Sequence, residues 1–138
     1  MGMSRALLGG TARGAALVLA EPLSMWGGLD PKTGEIIDRR HPQLGSIITD
    51  TVLVLPWGRG SSSASSVLAE AIRLGTAPCA IVMREPDDII LLGALVAEEL
   101  YGTTCPILVV EPELYRSITT GDQITVSEDG SISVGGDR

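Results

Sequence analysis

Residues 51–75 read TVLVLPWGRGSSSASSVLAEAIRLG, and their order decides the fold. Val52, Leu53, Val54 and Leu55 form a short apolar run of the kind that makes a buried strand, and Pro56 ends it. Gly58 and Gly60 let the backbone turn tightly around Arg59. Ser61, Ser62 and Ser63 stand where helix N-caps belong, ahead of a helix over 62–74 whose apolar face is Val67, Leu68, Ala71 and Ile72. Gly75 supplies the stop. A strand–loop–helix crossing of this type turns several backbone N–H groups and a helix dipole toward one point. That point favours an anion such as a carboxylate or a phosphate.

Outward from this stretch the pattern repeats. Apolar runs at 80–83 and 107–110 flank a helix over 87–100, giving strand, helix, strand, helix, strand. That alternation predicts a parallel sheet with right-handed crossovers. The second helix has Pro86 in its first turn, Asp87 and Asp88 against its dipole, and Gly102 at its end. Its body, IILLGALVAEEL, is apolar on most sides, so it is expected to be covered by the sheet on one face and by something else on another, such as a partner subunit.

Before residue 51 the chain reads as strand and loop. AALVLAE, residues 15–21, predicts a strand ended by Pro22. SMWGGLDPKTGEIID is dense in turn residues, with a short strand over 35–38, and RRHPQLG is a further loop. After residue 110, Gly121-Asp122 leads into the strand QITVS, and Asp129-Gly130 is a hairpin turn before SISV. No internal repeat is present. The expectation is one mixed β and βαβ domain over 1–138, its ordered core spanning about 6–134 with fraying ends.

The totals exclude several classes. The chain has 138 residues, 44% hydrophobic with no Phe, so its core must be built from Leu, Ile, Val and Ala. A net charge of −7 argues against nucleic acid, and only Arg39 and Arg40 stand adjacent, so there is no polybasic membrane patch. Cys79 and Cys105 each sit beside a proline, far from the single His, without metal-ligand spacing; reduced thiols in a cytoplasmic protein are expected, and no metal held by this chain. Arg13 interrupts the only stretch that imitates a secretory signal, leaving a run at 14–20 at the bottom of the usual signal-core length, MGMSRA lacks the myristoylation Ser or Thr, and no stretch is long enough to span a bilayer.

GRGSSSAS lacks the GK[ST] of a nucleotide-binding P-loop. The GxSxG elbow is also absent, so a hydrolase triad would have to join Ser61 to His41 with Asp38 or Asp30. Caps and turns alone account for one serine well and three poorly. His41, in a loop after two arginines, reads as solvated or locally hydrogen-bonded, and Trp26 and Trp57, each beside a glycine loop, read either as ordinary partly buried residues or as pocket or interface walls.

Three blocks in order, EPLSMWGGLDPKTGEIIDRRHP, VLVLPWGRGSSSASSVLAEAIRLGTAPCAIV and GALVAEELYG, resemble the small subunit, or swivel domain, of aconitase X. The resemblance covers residues 15–110. It implies an α/β fold of the swivelling β/β/α type, a mixed β sheet or barrel with a βαβαβ unit. It also implies a hydro-lyase whose iron–sulfur cluster is bound by the large subunit and acts as Lewis acid on the leaving hydroxyl. By motif, Ser61 is then the catalytic base, with Arg59, Gly60, Ser62 and Ser63 holding a small hydroxy-acid substrate. Serine is a poor base unless its surroundings favour the alkoxide, which a helix N-terminus, glycine-loop N–H groups and Arg59 would do. GRGSS departs from the GKGST of archaeal relatives. The family's two substrates are cis-3-hydroxy-L-proline and 5-phosphomevalonate. SSSASS with VLAEAIRLGTAP favours the first, for which Asp30 or Asp38 would accept the ring ammonium. The competing expectation is a non-catalytic binding or regulatory domain that keeps the fold.

Overall fold

The structure, a computed structural model, describes residues 3–60 and 62–135. Its centre is the alternation expected from the sequence: β5 (Val52–Leu55), α2 (Ser63–Leu74), β6 (Ala80–Met83), α3 (Asp88–Tyr101) and β7 (Ile107–Val110). Every residue of β5 and β6 is buried, which is why these runs carry no polar alternation. Gly75 and Gly102 take the left-handed conformation at the two helix ends, at φ 79° and 69°.

β2 (Ala12–Val18) pairs parallel with β5, β5 with β6 and β6 with β7, so four parallel strands share one direction. Antiparallel strands extend this sheet at both edges. β1 (Ser4–Leu8) lies against β7, and the hairpin β8 (Gln123–Val126) and β9 (Ile132–Gly135) lies beyond β2, giving the order β1-β7-β6-β5-β2-β8-β9. Gly130, at φ 86°, turns the hairpin.

Alternate residues divide the core into two layers. Leu53, Leu55, Ile81, Met83 and Ile107 face α2 and α3. Val52, Val54, Ala80, Val82, Leu108 and Val110 face the other way, where the sheet curls over and closes with Ile118, Ile124 and Val126. Gly93 lets the helices approach: a Cβ there would stand 2.7 Å from the carbonyl oxygen of Ser65. The result is the β/β/α layering expected. The outward face of α3, including Leu92, Leu95 and Leu100, stays exposed.

Four expectations need correction. The strand expected at 15–21 runs instead over Ala12–Val18, because β2 changes partner midway: Ala12 to Ala15 pair with β8 and Ala16 to Val18 with β5. Its first half is one-sided and lacks an apolar run. The strand expected at 35–38 shrinks to β4 (Glu35–Ile36), paired with β3 (Leu29–Asp30) after α1 (Met25–Gly28), a single kinked turn. Pro86 lies outside α3, and Asp87 is its N-cap, its Oδ1 accepting from the N–H groups of Ile89 and Ile90 at 2.9 Å each. Ser62 holds the N-cap position of α2, yet its side chain makes no capping bond. β1 and α4 (Pro112–Ser117) had no expectation at all, one being an edge strand and the other a six-residue helix with no buried residue.

The Asp87 cap gives a direct test. Asp87→Ala is expected to lower stability by about 1 kcal/mol. An unchanged midpoint in denaturant would mean the two N–H groups find water at no cost.

Candidate functional site

The loop between β5 and α2 leaves the carboxyl edge of the parallel strands, where open α/β sheets place their ligands. Three things hold it. Pro56 ends β5, and its carbonyl accepts from the N–H groups of Arg84 and Glu85 just past β6. Gly58 pairs with Leu23 in an isolated parallel bridge, and the Arg59 N–H donates to the Leu23 carbonyl at 3.3 Å. The Arg59 guanidinium reaches the same segment, one Nη2 hydrogen going to the Pro22 carbonyl at 3.0 Å. The loop therefore rests along residues 22–24, a stretch far away in sequence.

Both glycines are required by geometry. Gly60 has φ 112°, a region L side chains rarely adopt, and a Cβ there would stand 2.5 Å from Ser24 Oγ. A Cβ on Gly58 would stand 2.7 Å from both Asp87 Oδ2 and Ile90 Cδ1. The cap of α3 thus also buttresses the loop, a second task for Asp87 that its sequence position does not show.

Of the residues expected to form the site, Ser61 lies outside the described residues. Arg59, Gly60, Ser62 and Ser63, on either side of it in sequence, are all exposed. The Ser62 carbonyl accepts from both the N–H and the Oγ of Ser65, at 3.1 and 2.6 Å, fixing the first turn of α2. That turn holds no acidic residue, whereas the start of α3 is already served by Asp87. The N-terminus of α2 therefore has no acidic side chain in its first turn to compete with an incoming anion. The Pro22 carbonyl takes one of Arg59's five donors, and an exposed guanidinium can still offer a fork to a carboxylate.

The other candidates are placed elsewhere. Asp30 and Asp38 act in turns, accepting from the N–H groups of Lys32 and Arg40 at 2.9 and 3.0 Å. His41 is buried rather than solvated, and locally hydrogen-bonded as the alternative had it. Both tryptophans are exposed, Trp26 by 63% and Trp57 by 38%. Trp57 adjoins the loop and carries the Arg84 guanidinium 5.4 Å from its ring centre; Tyr115 receives the same cation at 5.8 Å. Sequence reading passed over Arg84. Its one signal was its place immediately after an apolar strand, at the edge where sites form.

Cys79 and Cys105 stand at the opposite, amino ends of β6 and β7, lining a cavity of about 260 Å³ with Asp50 and Thr104. Burial pushes both thiols up, Cys105 to about 12, so neither is a ready thiolate. Among the described residues no group of three His, Cys, Asp or Glu could hold a metal, and the donor set here does not fit an iron–sulfur cluster. Among them, too, no helix is long and apolar enough to cross a membrane.

A family described as the aconitase X swivel domain matches residues 2–134. Cis-3-hydroxy-L-proline dehydratase of Pseudomonas aeruginosa is 52% identical over 103 residues, 75% of this chain but 18% of that protein. A protein of the same name from Hypocrea jecorina is 36% identical over 86% of this chain and 20% of its own length, so the chain spans about a fifth of these two relatives. The phosphomevalonate dehydratase small subunit of Methanopyrus kandleri is 40% identical over 86% of this chain and 84% of its own. The crystal structure of Thermococcus kodakaraensis aconitase X in its holo-form superposes with a TM-score of 0.86, at 30% identity and 96% coverage of both chains. With the curled sheet, the layering and the glycine-flanked loop already in place, these matches settle the family: the chain belongs to the aconitase X swivel domains.

Proposed function

We propose that this chain is the swivel subunit of an aconitase X-type hydro-lyase in the cytoplasm, and that it works against a larger subunit which carries the iron–sulfur cluster. The observation that carries the reading is the loop at 58–63. Among the described residues it presents Arg59, Gly60, Ser62 and Ser63 on an exposed edge at the start of α2, whose first turn holds no acidic residue, and it is braced by segment 22–24 and Asp87. A surface of this kind is half a site: it binds and orients an acid and can take a proton, and it needs a second body to complete it. Since the described residues offer no cluster ligands, the group would be held by that second body.

In this reading Arg59 and the N–H groups opening α2 take the substrate carboxylate. Ser61, as alkoxide, removes the proton from the carbon bearing that carboxylate. The neighbouring carbon loses hydroxide, and Ser62 and Ser63 line the approach. The preferred substrate is cis-3-hydroxy-L-proline, in line with the 52% identity to the Pseudomonas aeruginosa enzyme of that name. Loss of the C2 proton and the C3 hydroxyl leaves an enamine, which tautomerises to Δ1-pyrroline-2-carboxylate. The second reading, 5-phosphomevalonate, has its own support in the 40% identity to a phosphomevalonate dehydratase small subunit over most of that chain's length. A phosphate monoester needs further cations, and Arg59 is already engaged on its protein side by Pro22.

The test is to reconstitute the chain with its larger subunit and offer each substrate in turn. Dehydration of cis-3-hydroxy-L-proline by the complex, and none by the chain alone, is expected. Turnover of 5-phosphomevalonate with no activity on the hydroxyproline would transfer the assignment to the second reading. Activity of the isolated chain would remove the need for a partner.

A further inference from the structure

We propose that His41 is a positioning residue for the site loop: its imidazole, as the Nε2–H tautomer, holds the carbonyl of Glu21 and thereby sets the segment on which Arg59 rests. The inference deepens the functional reading above, and part of its test needs no activity at all.

His41 is the one histidine of the sequence and is only 5% exposed. The Gln43 N–H donates to its Nδ1 at 3.0 Å, so Nδ1 carries the lone pair and the proton sits on Nε2. Nε2 lies 3.1 Å from the Glu21 carbonyl and donates to it. The same turn takes a second grip one residue earlier, where Gln43 Oε1 accepts from the Ala20 N–H at 3.1 Å. The turn itself is stiff, with His41 N–H bound to the Asp38 carbonyl and Leu44 N–H to the His41 carbonyl.

The next two carbonyls along the gripped segment hold the arginine loop. Pro22 O accepts from Arg59 Nη2, and Leu23 O accepts from the Arg59 N–H. Leu23 also pairs with Gly58, and Ser24 Oγ stands against Gly60. Pro22 has no N–H, so the segment cannot anchor itself through a backbone donor at that point. The bond from His41 to the adjacent carbonyl supplies what is missing. Residues 41–43 therefore hold residues 20 and 21 of the segment, while the arginine loop is bonded to residues 22 and 23. A tilt of the Glu21 peptide would move the Pro22 carbonyl and, with it, the guanidinium.

Asparagine and glutamine separate the two bonds of the ring. His41→Gln can place an amide N–H near the position of Nε2 and keep the bond to Glu21. His41→Asn can replace only the Nδ1 acceptor. On the full chain, amide spectra should show the Gly58 and Arg59 resonances displaced in His41→Asn and His41→Ala but close to wild type in His41→Gln. In the reconstituted enzyme, His41→Asn should raise KM for cis-3-hydroxy-L-proline about tenfold, the scale of one lost hydrogen bond, with a smaller change in kcat. His41→Gln should restore KM.

Equal disturbance by Asn and Gln, or an Asn variant with wild-type Arg59 resonance, overturns the proposal. If the variants fail to fold, the wild-type imidazole still decides: nitrogen spectra must show the Nε2–H tautomer, and an Nδ1–H tautomer refutes the bond. Should the complex act on neither substrate, the functional reading fails while the spectral comparison continues to judge His41.

Discussion

Ser61→Ala is expected to lower kcat of the reconstituted complex by about 10²–10⁴-fold, the usual contribution of a positioned general base. Loss in kcat and in kcat/KM should be similar, because the serine's proton-accepting role is exercised only in the transition state. The thermal midpoint and assembly with the larger subunit should change little. Its sequence neighbours Gly60, Ser62 and Ser63 are all exposed, and the substitution removes a single oxygen. The argument for an active alkoxide is electrostatic. A serine hydroxyl ionises only where positive potential is fixed in advance. Here the first turn of α2 carries no acidic residue, and Arg59 is strapped in place two positions away. Asp87, whose second oxygen faces Gly58, has its first oxygen engaged by the N–H groups of Ile89 and Ile90. Retention of most of the turnover in Ser61→Ala would assign the proton to another group and leave the serine tract as a cap and binding surface.

How much of this was legible in the sequence depends on where each signal lies. The five elements from β5 to β7 were placed within one or two residues, because fully buried strands are unbroken apolar runs and both helices end in left-handed glycines. The edges were not. β1 and the first half of β2 pair with antiparallel neighbours and hold no fully buried residue, so SRALL and ARGA show neither an apolar run nor an alternation long enough to stand out. The site divides in the same way. GRGSSS announced itself through two glycines around an arginine. Its support did not, since the atoms that hold Arg59 are the carbonyl oxygens of Pro22 and Leu23, and every residue has a carbonyl. His41 was visible as a residue but its task was not, because burial and both of its partners arise from the folded arrangement of the loops. Asp87 was read from its position against a helix dipole, and only the fold shows that its second oxygen walls off Gly58.

The two glycines of the loop should fail in different ways. Gly60→Ala meets two obstacles. The backbone at φ 112° costs an L residue about 1–3 kcal/mol, and the new Cβ would press on Ser24 Oγ, which is itself tied to the Trp26 carbonyl at 3.0 Å. Relief comes from shifting an exposed loop, so folding should survive while Arg59 leaves its place. A displacement near 1 Å costs about 10²-fold in turnover. The double variant Gly60→Ala/Ser24→Ala separates the causes. Recovery of activity would mean the hydroxyl clash dominates, and no recovery would mean the dihedral does. At Gly58 the balance reverses. Its φ is not among the positive ones, so the whole penalty is space. That space is bounded by the carboxylate capping α3 and by Ile90, which is buried in the main core. Neither can yield without loss of a cap or of packing, so Gly58→Ala should lower stability by about 1–3 kcal/mol as an overpacked site does. Measured together, kcat/KM should fall most in Gly60→Ala and the denaturation midpoint most in Gly58→Ala. If both variants lost stability alike and activity alike, the loop would be one rigid unit with the core, and the separate bracing by Ser24 and by Asp87 would not be real.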